Sequence, residues 1–151
     1  MNKIITLVAV MSIGIQLFKA PVPDAIRCGM TEEEFDFISS VVEAESDRCT
    51  DSTEGRMYIA LVILNRAADE RFPDTIPEVL TQAGQFSTVR NGHSIVDRTE
   101  LSDQAVIEAV EWLESGDAPT DLLFFNCVGF NIGEPYGIYG GNYFMRLEAE
   151  V

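Results

Sequence analysis

The sequence predicts a mainly α domain of the α+β class, with helices through residue 116 and a small β element near the C-terminus. Two observations carry this. Apolar residues recur at helical spacing behind hydroxyl-bearing caps in several stretches before Gly116. After it, short apolar and aromatic runs are separated by glycine clusters. With 151 residues, 46% of them hydrophobic, the chain can build one continuous core.

Residues 1–20 differ in kind from the rest. Met1-Asn2-Lys3 precede an apolar run from Ile4 to Phe18, which Lys19 closes. A positive start and an apolar run shorter than the roughly 20 residues of a spanning helix fit an export signal. Phe18-Lys19-Ala20 departs from the small-x-small pattern of a cleavage site. The segment therefore reads as a signal peptide or an uncleaved anchor, with a buried N-terminal helix as the competing reading. Membrane anchoring is expected only through residues 1–20, and the protein is expected to be exported. Residues 21–30, with Pro21 and Pro23, read as an extended linker, and the domain proper as residues 31–151.

Both lysines lie in that first segment, whereas all 25 acids follow it and face only eight arginines. Such a field repels phosphate backbones, which excludes a nucleic-acid partner.

Within the domain, Thr31 and Glu34 form a capping box that starts a helix. Ile38, Val41 and Val42 make one stripe, and Glu45, seven, four and three residues beyond them, continues it, while Glu43 faces elsewhere. A carboxylate on a core-facing stripe loses hydration, which favours its protonated form and suits a general acid. The alternative is a helix-end ion pair with Arg48 or Arg66.

A polar loop over residues 47–52 offers Asp51, Ser52 or Thr53 as the cap of a second helix. That helix is almost wholly apolar from Met57 to Leu64 and is closed by Asn65 and Arg66, with a buried strand as the competing assignment. Phe72-Pro73 turns the chain, and Thr75 with Glu78 caps a short helix to about Gln82. Residues 83–98 have two glycines and no helical period and read as a long loop, a common place for function. A helix from Ser102 presents Val106, Ala109, Val110 and Leu113 inward and ends at Gly116. Residues 122–128 read as a short buried strand and residues 142–147 as a second. Between them, residues 129–141 carry Phe130, Tyr136, Tyr139 and five glycines, too flexible for core and too aromatic for a linker.

The three cysteines are Cys28, Cys49 and Cys127. Three pairings are possible: a Cys28–Cys49 bridge would have to span about 25 Å of helix, Cys49–Cys127 would tie the loop after Glu45 to the C-terminal half, and Cys28–Cys127 is the third, with three free thiols as the alternative. His93 is the only histidine. Zinc peptidase sites use two or three, so no metal is expected. A cysteine peptidase would need Cys49 or Cys127 beside His93. Neither a glycine-rich phosphate loop nor a calcium loop is present, and no cofactor is expected.

Several blocks agree in order and spacing with a known pattern: Val41-Val42-Glu43-Ala44-Glu45; Glu54-Gly55-Arg56; Ala60-Leu61-Val62-Ile63-Leu64-Asn65-Arg66; Phe72-Pro73-Asp74-Thr75-Ile76; and Gly84-Gln85-Phe86-Ser87. Together they resemble the cell wall hydrolase family of the spore cortex-lytic enzyme SleB, over roughly residues 35–145. The resemblance implies a lysozyme-like, lytic transglycosylase-like helical domain that cleaves peptidoglycan glycan strands between N-acetylmuramic acid and N-acetylglucosamine. Glu45 falls on the family's catalytic glutamate. A transglycosylase needs no second carboxylate, whereas a two-carboxylate hydrolase would draw one from Asp51, Glu54 or Asp97.

Sugar rings need aromatic faces and amide or hydroxyl groups at their edges, which makes Gln85, Ser87, Asn126, Tyr136, Tyr139 and Tyr143 the substrate-binding candidates. Phe86, Phe125 and Trp112 read as packing residues, and Tyr58 either orients Glu45 or packs. Two departures from the family stand out: residues 49–53 lengthen the loop after Glu45, and Asn142 occupies the place of an expected histidine. They motivate a different-class alternative, a catalytically silent wall-binding or virion-associated module of the same fold.

Overall fold

The computed structural model describes residues 23–46 and 52–148. Among the described residues five helices precede or flank a three-stranded antiparallel sheet: α1 (Pro23–Arg27), α2 (Glu32–Glu45), α3 (Thr53–Ala68), α4 (Ile76–Thr81) and α5 (Glu100–Ser115), with β1 (Val89–Arg90) and β2 (His93–Ser94) between α4 and α5. The strands β3 (Leu122–Asn126), β4 (Glu134–Tyr139) and β5 (Asn142–Arg146) follow in spatial order β3-β5-β4. The mainly α, α+β expectation therefore holds.

Helix α3 is the centre. Ile59 through Ile63 are fully buried, because the helix packs against α2, α4, α5, β3 and β4 at once, which explains a sequence apolar on nearly every side. Its end ties the sheet to the helices: the Asn65 amide donates to the carbonyls of Pro119 and Leu122, and Arg66 Nε donates to that of Leu123. Helix α2 starts at the expected capping box, with Thr31 and Glu34 exchanging side-chain and backbone hydrogen bonds. Phe35, Ile38, Val41 and Val42 form its buried face.

Four elements differ from the sequence expectation. Residues 23–27 are helical, not an extended linker; Pro23 opens α1, where its missing N–H costs nothing, and Ala25 is buried in the core. Helix α5 begins before Ser102, at Glu100, because Thr99 is the cap and Ser102 is its capping-box partner. The loop over residues 83–98 contains the β1–β2 hairpin. Its turn residues Asn91 and Gly92 both have positive φ, 53° and 78°, as a two-residue hairpin loop requires. Residues 134–139 form β4, which returns through Gly140-Gly141 to pair with β5. A bulge between Pro135 and Gly137 puts Tyr136 and Tyr139 on the same side, where both meet Tyr58 of α3.

Among the described residues no helix is long and apolar enough to cross a membrane; the expected export segment, residues 1–20, lies outside them.

Candidate active site

Glu45 is the last residue of α2, where that helix reaches the edge of the core. It lines a cleft of about 590 Å³ together with the end of α3, the segment before β1, and β3 with the start of β5. The Thr88 hydroxyl hydrogen-bonds to Glu45 Oε1. Thr88 is held in turn: its carbonyl accepts from Ile95 N, and Ser94 Oγ donates to the Ser40 carbonyl of α2. The small hairpin thus clasps the helix that carries Glu45.

Glu43, on the same last turn of α2, does something else. Its two oxygens accept from Arg56 Nε and Nη2, both at 3.0 Å, and Oε2 accepts also from the Thr99 hydroxyl. The Arg56 hydrogen bond, with help from Thr99, holds the Glu43 carboxyl below the usual range against the opposing effect of burial. This pair ties α2 to α3 and, through Thr99, to the start of α5.

Arg66 forms part of the cleft wall. It is almost fully buried, and burial pushes its pKa down to about 10, so it remains a cation at neutral pH. Its Nε donates to the Leu123 carbonyl at 2.8 Å and its Nη1 to Gln85 Oε1 at 3.0 Å, with the rings of Phe72, Phe86 and Phe124 packed around the guanidinium. The sequence marks it only as a helix end or an ion partner of Glu45. Arg48 lies outside the described residues.

Three of the six predicted binding residues, Gln85, Ser87 and Asn126, share the cleft with Glu45. Asn126 spends its polar atoms locally: Oδ1 accepts from the amides of Val128 and Gly129, and Nδ2 donates to Asn131. The tyrosines are elsewhere. Tyr139 stacks on Tyr58 at 3.9 Å with Tyr136 and Trp112 beside them, and Tyr143 meets Phe130 edge-on. Tyr58 therefore packs, and burial pushes its phenol far above the ordinary value. Phe86 is buried as expected, and Phe125 packs on Phe86 and Phe144 as expected while also contributing to the cleft wall.

Asn142, in the place of the expected histidine, also lines the cleft and is 4% exposed. Sequence reasoning missed Thr88, although it directly follows the Gly-Gln-Phe-Ser block that points to this segment.

Cys127 lines the Glu45 cleft while His93 lines a separate groove across the hairpin, so the two do not meet. Cys28 and Cys127 are free thiols, and burial, with Asp24 nearby, pushes the Cys28 thiol up to about 11. Cys49, on which two of the three possible disulfide pairings depend, lies outside the described residues, as does most of the lengthened loop with Asp51. Glu54 is in the exposed first turn of α3, and Asp97 lines the other groove.

Among the described residues, one carboxylate at a helix end faces amides and hydroxyls across an open cleft in an α+β domain, and that is the class of site that the fold defines. Kinship with known proteins places it more narrowly. The family model described as Cell Wall Hydrolase matches residues 50–128, and the chain belongs to that family. Glu45 lies just before the matched span and Asn142 beyond it.

Spore cortex-lytic enzymes of Oceanobacillus iheyensis and Bacillus subtilis strain 168 are 35% and 34% identical over 74 residues, 48% of this chain in each case. Those residues amount to 26% and 23% of the relatives' own length. The crystal structure of the catalytic domain of the Bacillus cereus SleB protein superposes with a TM-score of 0.62 at 21% identity, over 77% of this chain and 91% of that one. The fold is shared.

Proposed function

We propose that the domain cleaves the peptidoglycan glycan strand between N-acetylmuramic acid and N-acetylglucosamine as a lytic transglycosylase, with Glu45 as general acid and then base. One observation carries the choice: among the described residues, Glu45 is the only carboxylate lining the cleft.

In this reading Glu45 donates its proton to the glycosidic oxygen as the bond to C1 of the muramyl residue breaks. The same carboxylate then takes the proton of that sugar's 6-hydroxyl as its oxygen attacks C1. The product is a 1,6-anhydro end, and no water is consumed. Thr88 fixes the Glu45 carboxylate, while Gln85 and Ser87 supply polar contacts to the sugar edges. Delivery to the wall falls to residues 1–20.

Digestion of purified peptidoglycan followed by mass spectrometry tests the reaction. Anhydromuramyl ends are expected; reducing muramic acid ends alone would replace the transglycosylase by a hydrolytic muramidase. A zymogram addresses the silent-module alternative, which Asn142 motivates. Clearing by the wild type but not by Glu45→Gln supports the enzyme, and strand binding without clearing supports the module.

A further inference from the structure

We infer that Arg66 and Gln85 form a preset hydrogen-bond donor that reads the acetamido carbonyl of the glycan strand, so that the cleft selects N-acetylated over N-deacetylated sugars. The inference rests on the proposed glycan-strand reading and adds a specificity determinant to it.

A guanidinium carries five N–H donors and no acceptor. Its partner atom on Gln85 must therefore be the carbonyl oxygen, and the amide orientation follows from chemistry: a flipped Gln85 would set N–H against N–H. With Oε1 committed to Arg66, the Gln85 NH2 is the end left for the cleft. The anchor cannot swing away, because Arg66 is buried, its Nε is bound to the Leu123 carbonyl, and three aromatic rings lie within 5.9 Å of its guanidinium carbon. Gln85 itself is exposed. A rigid buried base thus carries an accessible donor tip, which lowers the ordering cost of binding.

A second observation points the same way. Asn142, 4% exposed and lining the same cleft, has an Nδ2 with no hydrogen-bond partner among the described residues. A buried amide N–H left without an acceptor is costly, and a ligand that brings an acceptor relieves it. Two amide oxygens of the cleft already accept within the protein: Asn126 Oδ1 takes two backbone amides and Gln85 Oε1 takes Arg66. Among the groups on a glycan strand, the acetamido carbonyl is the neutral acceptor that carries an apolar tail, and Phe124, Phe125 and Ile132 in the same cleft offer its methyl a surface.

The test compares purified glycan strands, the same strands after chemical N-deacetylation, and those strands re-acetylated. The wild type is expected to favour the acetylated strands about tenfold in kcat/KM, the scale of one lost hydrogen bond at an exposed site. Re-acetylation should restore the value. Gln85→Glu still accepts from Arg66, so its Tm should match the wild type, yet it offers the cleft no N–H, and its preference ratio should fall to about one. Gln85→Met removes both contacts and should lose the preference together with some Tm.

A wild-type ratio retained in Gln85→Glu overturns the inference, because a purely structural role predicts it. The same ratio read as Kd by calorimetry, in the Glu45→Gln background, does not need turnover. Absence of cleavage would thus count against the proposed reaction, whereas an unchanged Kd ratio would count against the donor.

Discussion

Glu43 and Glu45 stand two residues apart on the last turn of α2 and have opposite surroundings. Glu43 is gripped by the two nitrogens of a buried arginine and by a threonine hydroxyl, which leaves its carboxylate few free lone pairs. Glu45 meets a threonine hydroxyl at the edge of an open cleft. Two residues along a helix turn a side chain by about 200°, so one turn can supply a structural tie on one side and a carboxylate that lines the cleft on the other. The strong tie on the Glu43 side is what gives the Glu45 side a fixed place to stand.

The two carboxylates should differ most visibly when activity is removed without touching the fold. Glu45→Gln should lower turnover on peptidoglycan by at least about a hundredfold, the scale of a positioned general acid, with Tm close to that of the wild type. Glu43→Gln should do the reverse, keeping most turnover per folded molecule while lowering Tm. If Glu43→Gln abolished turnover in a folded protein and Glu45→Gln did not, the two roles would be exchanged.

Removing the cation side of the tie is the next largest effect. Arg56→Leu leaves the Glu43 carboxylate in a partly buried place without its guanidinium. Denaturant unfolding should show a loss of about 2 kcal/mol, below the range for a fully enclosed pair because Glu43 keeps some solvent contact. No loss of stability would mean that α2 and α3 are held by apolar packing alone.

A smaller effect separates positioning from chemistry on the Glu45 side. Thr88→Val keeps the shape of the side chain but deletes the hydroxyl that meets Glu45 Oε1. Turnover should fall about tenfold with KM nearly unchanged if, as proposed, the contact orients the acid and does not bind substrate. A rise in KM with turnover intact would make Thr88 a sugar contact instead.

The two sides are unequally legible in the sequence. Glu45 shows itself as an acid on an apolar stripe, a local signal, and the α2 and α3 boundaries follow from caps and period. Thr88 and Arg66 carry no such mark, because their roles come from contacts 43 and 57 residues away in sequence. The β1–β2 hairpin does leave a local sign in Asn91-Gly92, but strands of two residues are too short to show alternation.

Strand β4 is hidden by Gly137 and by the glycines that flank it, which suggest flexibility. Gly137 is there for room: a Cβ at that position would lie 2.6 Å from the ring of Tyr139. Tyr136, Tyr139 and Tyr143 read as sugar platforms because the aromatic character of a binding face and of a packed seam is the same in sequence. Only the bulge that turns Tyr136 and Tyr139 onto Tyr58, and the edge-on contact of Tyr143 with Phe130, distinguish them.

The mildest perturbation uses pH to read the Glu43 side alone. The hydrogen bond from Arg56 lowers the Glu43 pKa in the folded protein relative to its ordinary value of 4.5. A depressed folded pKa means that the carboxylate form contributes stability that is fully present above the unfolded pKa and is lost as pH falls through the folded one. Stability should therefore decline from about pH 4.5 downward in the wild type. In Glu43→Gln that contribution is absent at every pH, so the gap in Tm between variant and wild type should be widest at neutral pH and should narrow progressively below pH 4.5. Tm measured across that window decides it: a gap that stays constant on acidification would mean that the Glu43→Gln substitution disturbs packing, and that the tie between α2 and α3 does not depend on the charge of Glu43.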